Sequence, residues 1–365
     1  MTIILFVIIL AVLVFVHEFG HFITAKKSGI RVDEFGIGFP PKIFSWKPKK
    51  SETTYSINAI PFGGFVKIFG EDPDDDSISG PESNRSFVNK PKSIQALVLV
   101  AGVLFNIIFA WFLITLGYWI GFPTNVTEEN INYAQSVNLT IVGVVPDSPA
   151  DIAGLKPGDS LISVSSVNNS IDMPNADEVR NLILESGGED ISIEYGRGKE
   201  TGQVDLLAEG GLVDEGVAIG IIMDDIGIVK YPVLKGLVEG TKTTINLLLL
   251  IAEGLAVFIM NAFTGKANLS QISGPVGIIG LVGDASRLGF VYLLSFTALI
   301  SLHLAILNLI PFPALDGGRI LFILIEKLKG SPISPKIQNW TNGIGFALLI
   351  ILMLVVTYSD IAKLF

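Results

Sequence analysis

A chain of 365 residues that is 50% hydrophobic and only 16% charged, with a mean hydropathy of +0.58, is too apolar for an ordinary water-soluble protein. It contains no cysteine, which excludes a disulfide framework, a thiolate metal site and a cysteine nucleophile. The net charge of −10 is uneven: Gly121 to Lys235 carries 19 acidic and 6 basic residues, a balance that excludes nucleic acid as a partner of that segment.

The first element, residues 1–25, is a transmembrane helix. Fourteen uncharged apolar residues from Ile3 lead directly into His17-Glu18-Phe19-Gly20-His21. There is no basic region ahead of the run and no small-residue cleavage site behind it, so the expectation is a retained span and not a signal peptide. H-E-x-x-H on a helix sets two imidazoles about one turn apart on one face, where they can share a zinc ion, with Glu18 as the base for a water molecule. Three ionisable side chains at the end of an apolar span cost several kcal/mol unless something pairs with them, which favours a metal over capped helix surface.

Residues 26–92 are too polar to cross. Lys26, Lys27, Arg31, Lys42, Lys47, Lys49 and Lys50 face only Asp33 and Glu34, and the positive-inside rule puts this segment in the cytoplasm and the N-terminus outside. Within it, residues 54–70 hold two β-prone runs, YSINAI and GGFVKIF, around Pro61 and the pair Gly63-Gly64, the pattern of a hairpin or a bent strand pair. The acidic loop from Gly70 to Ser83 reads as solvated. Residues 93–120 form the second span. Its single amide, Asn106, is expected to satisfy a neighbouring backbone group.

Four β-type runs and a helical stretch near Ala176–Glu185 make residues 139–225 a separate α+β domain, and its loop from Pro146 to Asp159 resembles the signature of PDZ domains. Such domains take an extended peptide by strand addition. Residues 236–285 are expected to hold an interfacial helix and loop. Although 241–263 is apolar enough to span, a crossing there would put Lys327, Lys329 and Lys336 outside, against the charge rule. The third span lies in residues 286–320 and the fourth in 342–359, with both termini outside.

Within the third segment, Asn308-Leu-Ile-Pro311-Phe-Pro313-Ala-Leu-Asp316-Gly317-Gly318 breaks the helix at membrane depth, which is tolerated only where backbone is buried or lines a cavity. The chain has three histidines, so a three-histidine site would need His303, and otherwise a carboxylate completes the set. Charge topology brings Asp316 to the same cytoplasmic level as His17 and His21. Two histidines and one carboxylate leave a fourth zinc position open, the pattern of a catalytic site.

HEFGH in the first span, IPFGGFVKIFGE after it, one PDZ-like domain, SGPVGI at 273–278 and NLIPFPALDGG together resemble the site-2 protease family of intramembrane zinc metalloproteases, in the bacterial branch that cleaves anti-sigma factors and remnant signal peptides. The resemblance covers essentially the whole chain. It implies one Zn2+ per chain held by His17, His21 and Asp316, with Glu18 as catalytic base. It also implies substrate contacts at Asn308, Pro311 and Pro313, and an added substrate strand at the hairpin around Gly63, Gly64 and Phe65. The family's A-G-P-x-x-N is here Ala101-Gly102-Val103-Leu104-Phe105-Asn106, without the proline, and a position often Asn in the third span is His303.

The expected fold is therefore a multi-pass α-helical membrane protein of about four transmembrane helices, with an inserted membrane-associated β-hairpin and one PDZ-like domain outside. The expected partners are the lipid bilayer of the inner (plasma) membrane and transmembrane protein or peptide substrates, with no nucleic acid. An inactive scaffold would not need Glu18 between two histidines. A zinc transporter would need more polar residues along its spans than the sequence offers.

Overall fold

The computed structural model describes residues 1–49, 51–167, 169–198, 200–211, 216–265 and 273–362, which form two compact units. The first unit comprises residues 1–113, 241–283 and 296–365, and the second comprises 114–240 and 284–295.

In the first unit, helix α1 (Thr2–Lys27) ends with Lys26 and Lys27 in its last turn, where cations complement the helix dipole. Ile4, Ile8, Val12 and Phe15 are exposed along its outer face while Leu13, His17, His21 and Ala25 are buried. An apolar outer face over a polar inner one is the inverse of a water-soluble helix, and it suits lipid.

The β segment that follows differs from a simple hairpin at 54–70. Strand β1 (Val32–Trp46) and strand β2 (Thr54–Ile68) are both long and bent, and Glu34 to Ile37 pair on both sides, with 54–57 and with 64–67. The runs YSINAI and GGFVKIF do not pair with each other; each takes one edge of β1. The reason is physical: a lone two-stranded hairpin is marginal, whereas the VDEFGIGF run offers both runs a shared central strand. Segment 64–68 is left as an outer edge. Beneath it, Ala25, Ile30, Val32, Ile68, Phe87, Val98 and Leu99 form a buried core with helix α2 (Lys92–Ile120). That helix runs unbroken through Val103, where the family motif has a proline.

In the second unit, strands β3 (Ala134–Val144), β4 (Ser160–Ser166), β5 (Asp190–Arg197), β6 (Glu200–Leu207) and β7 (Ile221–Val229) belong to a seven-stranded antiparallel sheet among the described residues. Phe122–Asn125 adds to its edge against β7, so the sheet begins earlier than residue 139. Helix α3 (Ala176–Glu185) starts with a capping box between Asn175 and Glu178. The loop from Pro146 to Asp159 buries Ala150 and Leu155, and the Asp159 carboxylate accepts from the Lys156 backbone N–H at 2.8 Å and pairs with Arg197 at 2.6 Å.

Five helices among the described residues are long and apolar enough to cross a membrane: α1, α2, α4 (Val233–Phe263, of which residues 233–262 qualify), α6 (Phe290–Leu309) and α8 (Pro335–Ala362). The sequence expectation counted four and set 241–263 at the interface. By length and composition α4 is a fifth candidate, and it also touches the other apolar helices: the Trp111 indole N–H donates to Thr241 Oγ1 at 2.9 Å, and Leu250, Gly254 and Leu255 share a groove with Leu299, His303 and Leu307 of α6. Charge parity sets the direction of a span but carries no information about its neighbours, which is why the sequence argument missed this packing. Residues 266–272, which follow α4, lie outside the described residues.

Two further helices are α5 (Pro275–Leu288), which lies in the first unit as far as residue 283, and α7 (Asp316–Lys329), which lies wholly in it. The SGPVGI run of 273–278 is explained by Asp360 on α8. That buried carboxylate accepts from the backbone N–H groups of Gly274 at 3.1 Å and Gly277 at 2.8 Å, at the start of α5. A Cβ on Gly274 would stand 2.7 Å from Asp360 Oδ2, so only glycine admits the approach. Asp360→Ala is expected to destabilise the protein by about 1–3 kcal/mol, because it strands one buried and one part-buried donor. A lowered unfolding midpoint in detergent checks this, and an unchanged midpoint contradicts it.

Candidate metal centre

The polar cluster is assembled by three helices of the first unit. On α1, His17 and His21 stand one turn apart, with their Nε2 atoms 3.1 Å from each other. On α2, Val98, Gly102 and Asn106 recur every four residues and so share one face, which is turned to the histidines. The Val98 carbonyl accepts a hydrogen bond from His21 Nδ1 at 2.8 Å. This fixes the proton on Nδ1 and leaves Nε2 as a lone pair, the tautomer a metal ligand requires. Gly102 provides the space: a Cβ there would lie 2.3 Å from His21 Nε2 and 2.8 Å from His17 Cε1. Gly20 allows the same close approach from α1, since a Cβ on it would lie 2.5 Å from the Ala101 carbonyl oxygen.

Asp316 arrives from the other side of the cluster by way of the broken helix. After α6 ends at Leu309, the chain turns through Pro311 and Pro313, Ala314 adopts a left-handed φ of 74°, and α7 begins at Asp316. Gly317 and Gly318 lie against the carbonyls that the break frees. A Cβ on Gly317 would stand 2.2 Å from the Ile310 oxygen, and one on Gly318 would stand 2.2 Å from the Phe312 oxygen. The two glycines therefore let α7 fold back tightly enough to throw Asp316 onto the histidine pair. One turn later, Arg319 is ion-paired with Glu71 and, at 3.3 Å, with Asp72. Burial pushes the Glu71 carboxyl up, against the pull of Arg319. The acidic loop thus serves α7 through Arg319, and among the described residues it contributes nothing to the metal cluster.

Asp316 Oδ2 lies 3.1 Å from His17 Nε2 and 3.4 Å from His21 Nε2. Tetrahedral zinc with ligands at about 2.0–2.1 Å sets their atoms roughly 3.3 Å apart. The three atoms therefore already hold the spacing of a zinc triad. Asp316 Oδ2 is moreover buried without a hydrogen bond of acceptable geometry, an orphan that a cation would satisfy. The residues fit the metal.

Glu18 sits beside this cluster and against the β segment: a Cβ on Gly64 would meet its Cγ at 3.8 Å, and one on Gly63, whose φ is 102°, would meet Val14 one turn earlier on α1. The glycine pair therefore lets β2 lie flat on α1 next to Glu18. Phe65 points the other way in the strand alternation, its ring occupying the space left by Gly36 on β1. Asn308 stands half-buried in the last turn of α6, Pro311 is exposed and Pro313 packs against Gly345 of α8. His303 is outside the cluster: it is exposed, its Nδ1 donates to the Leu299 carbonyl at 2.9 Å, and it faces the α4 groove.

Two residues of the cluster's surroundings were not assigned from the sequence. Asn106, expected to satisfy backbone, instead places its side-chain amide 3.4 Å from His17 Nδ1. Gly102 entered the sequence reading only as part of the run Ala101-Gly102-Val103-Leu104-Phe105-Asn106, with no role attached, and the four-residue spacing 98/102/106 is the clue to a shared face.

The model of the family described as peptidase family M50 matches residues 5–352. The zinc metalloprotease RasP of Shouchella clausii is 30% identical over 447 aligned residues, which cover 100% of this chain and 99% of that protein. The zinc metalloprotease RasP of Oceanobacillus iheyensis is 31% identical over 443 residues, covering 100% and 99%. The regulator of sigma-W protease RasP of Bacillus subtilis is 30% identical over 441 residues, again covering 100% and 99%.

Proposed function

This chain belongs to peptidase family M50 and is an integral membrane zinc metalloprotease, and from that premise we propose that it hydrolyses peptide bonds in or near transmembrane segments of single-pass membrane proteins. The observation that carries the proposal is the convergence of His17, His21 and Asp316 beside Glu18, among helices with apolar outer faces. In this reading His17 and His21 give Nε2 and Asp316 gives Oδ2 to the ion. Zinc, when bound, supplies Lewis acidity towards the scissile carbonyl and towards water. Glu18 accepts the proton from water at its carboxylate and returns it to the leaving amide nitrogen.

A helical substrate hides its carbonyls in i to i+4 hydrogen bonds and must unwind to react. The outer edge of segment 64–68 offers replacement partners, and Gly64 sets that edge next to Glu18. Asn308 and the Pro311/Pro313 turn are proposed to contact the same unwound stretch. The β unit is read as PDZ-like on the strength of its loop from Pro146 to Asp159. It is proposed to filter out substrates whose outer domains are still intact. Substrates of the anti-sigma-factor or remnant-signal-peptide kind fit this reading, and one relative's name, regulator of sigma-W protease, supports it.

The test is incubation of the purified protein with a single-span membrane peptide and location of the cleavage by mass spectrometry. Cleavage within or at the edge of the span, abolished by a zinc chelator and restored by zinc, is expected. Intact peptide with zinc fully bound would favour a scaffold.

The proposed topology puts residues 26–92 in the cytoplasm and the β unit outside. Because the chain has no cysteine, single cysteines can be labelled against no background. A cysteine at Gly80 is expected to react only from the cytoplasm, and cysteines at Ser170 and Ser286 only from outside. Labelling of 170 and 286 from opposite sides would contradict this arrangement.

A further inference from the structure

Asn106 is fully buried in the middle of an apolar helix, a placement that costs free energy unless the amide has work to do. Its Nδ2 lies 3.4 Å from His17 Nδ1, while its Oδ1 is buried without a hydrogen-bond partner. Its backbone carbonyl is held separately, accepting from the Ser301 hydroxyl of α6 at 2.8 Å, so the side chain is not needed to tie α2 to α6. His21 has its Nδ1 proton fixed by the Val98 carbonyl at 2.8 Å. At His17 Nδ1 the hydrogen-bond partner among the described residues is this amide.

We propose that Asn106 is the positioning residue for His17, and that its amide reverses according to whether His17 Nε2 is engaged by metal. The argument rests on this chain's reading as a zinc enzyme and concerns one ligand's partner. In a neutral imidazole one nitrogen is a donor and the other an acceptor. With no metal, His17 Nε2 can carry the proton, and Nδ1 is then an acceptor that matches Asn106 Nδ2. When Nε2 must be a lone pair for a metal, the proton moves to Nδ1, which then needs an acceptor. Rotation of the amide by half a turn about Cβ–Cγ brings the unpartnered Oδ1 to that place. An amide is the one uncharged side chain of this shape that serves both states. Carboxylate serves only the second, and a hydrocarbon serves neither. Outer partners of ligating histidines orient the ring and raise its basicity, and their loss typically weakens metal binding by about 10- to 100-fold.

The experiment compares zinc retention against a competing chelator in wild type, Asn106→Leu and Asn106→Asp. It is joined by 15N NMR of histidine-labelled wild type, in which only three histidines give signals. Asn106→Leu is expected to lose zinc about 10- to 100-fold more readily, with the unfolding midpoint of the metal-free protein unchanged. Asn106→Asp, an acceptor only, is expected to retain zinc at least as well as wild type. In zinc-loaded wild type, His17 Nδ1 is expected to carry a hydrogen-bonded proton, and removal of zinc is expected to shift that proton to Nε2. The proposal is overturned if Asn106→Leu holds zinc like wild type, or if His17 Nδ1 is unprotonated in the zinc-loaded protein. Equal weakening by both variants, with a lowered metal-free midpoint, also overturns it by making Asn106 merely structural. The NMR result stands even where a variant does not fold, and it fails separately from the protease reading, since His17 can bind zinc without Asn106 turning.

Discussion

Glu18→Gln is expected to lower peptide hydrolysis by about 10²- to 10⁴-fold, the usual worth of a general base. The amide keeps the shape of the side chain and cannot accept a proton from water. It also removes no ligand, because the triad is formed by His17, His21 and Asp316 without it. Zinc should therefore remain at one ion per chain, and the fold should be unchanged, since glutamine fills the same space as glutamate. Single-turnover cleavage of a membrane peptide, with metal analysis of the same sample, measures both. A variant that cleaves at near the wild-type rate would remove Glu18 from the chemistry.

Gly102→Ala is expected to have a comparable effect by a different route. Its methyl group would fall 2.3 Å from His21 Nε2, at the position where the ligand atoms converge. Helix α2 cannot retreat without breaking the 2.8 Å bond between Val98 and His21 Nδ1, and Gly20 has already brought α1 against Ala101. The histidine must yield. Overpacking of this kind costs about 1–3 kcal/mol in a packed interior. Here the group displaced is a ligand, so the loss should show in metal and not only in stability. Zinc content after dialysis against a weak chelator is expected to fall by at least about tenfold, the scale of disturbed ligand orientation. Full zinc content would mean that α1 and α2 separate more easily than their contact distances imply.

The candidate metal cluster was legible in the sequence because its residues violate their surroundings. His17, Glu18 and His21 interrupt an apolar run at helical spacing, and Asp316 sits in a break that a membrane helix tolerates only for a reason. Such violations are local and need no knowledge of what packs where. The partners of the β segment were not legible for the opposite reason. YSINAI and GGFVKIF read as a pair because they are neighbours in sequence, yet both chose Glu34–Ile37, and that choice depends on burial and on sheet width. Asn106 illustrates the limit more sharply. A single amide in a span has many possible partners, and only the helix register that brings Val98, Gly102 and Asn106 onto the histidine face selects one. The packing of α4 against α2 and α6 was hidden in the same way, because an apolar helix reads alike whether it meets lipid or protein. SGPVGI gave a pattern with no evident purpose until Asp360, more than eighty residues away, was found bonded to its backbone.

The central claim is that His17, His21 and Asp316 are the ligands of a catalytic zinc. X-ray absorption at the zinc edge of the purified protein, in wild type and in Asp316→Asn, tests it most directly. The account predicts two imidazoles with the remaining ligands oxygen in wild type, and weakened zinc retention in Asp316→Asn, which loses its anionic oxygen. A third imidazole, which could come only from His303, or undiminished zinc binding in Asp316→Asn, would contradict it.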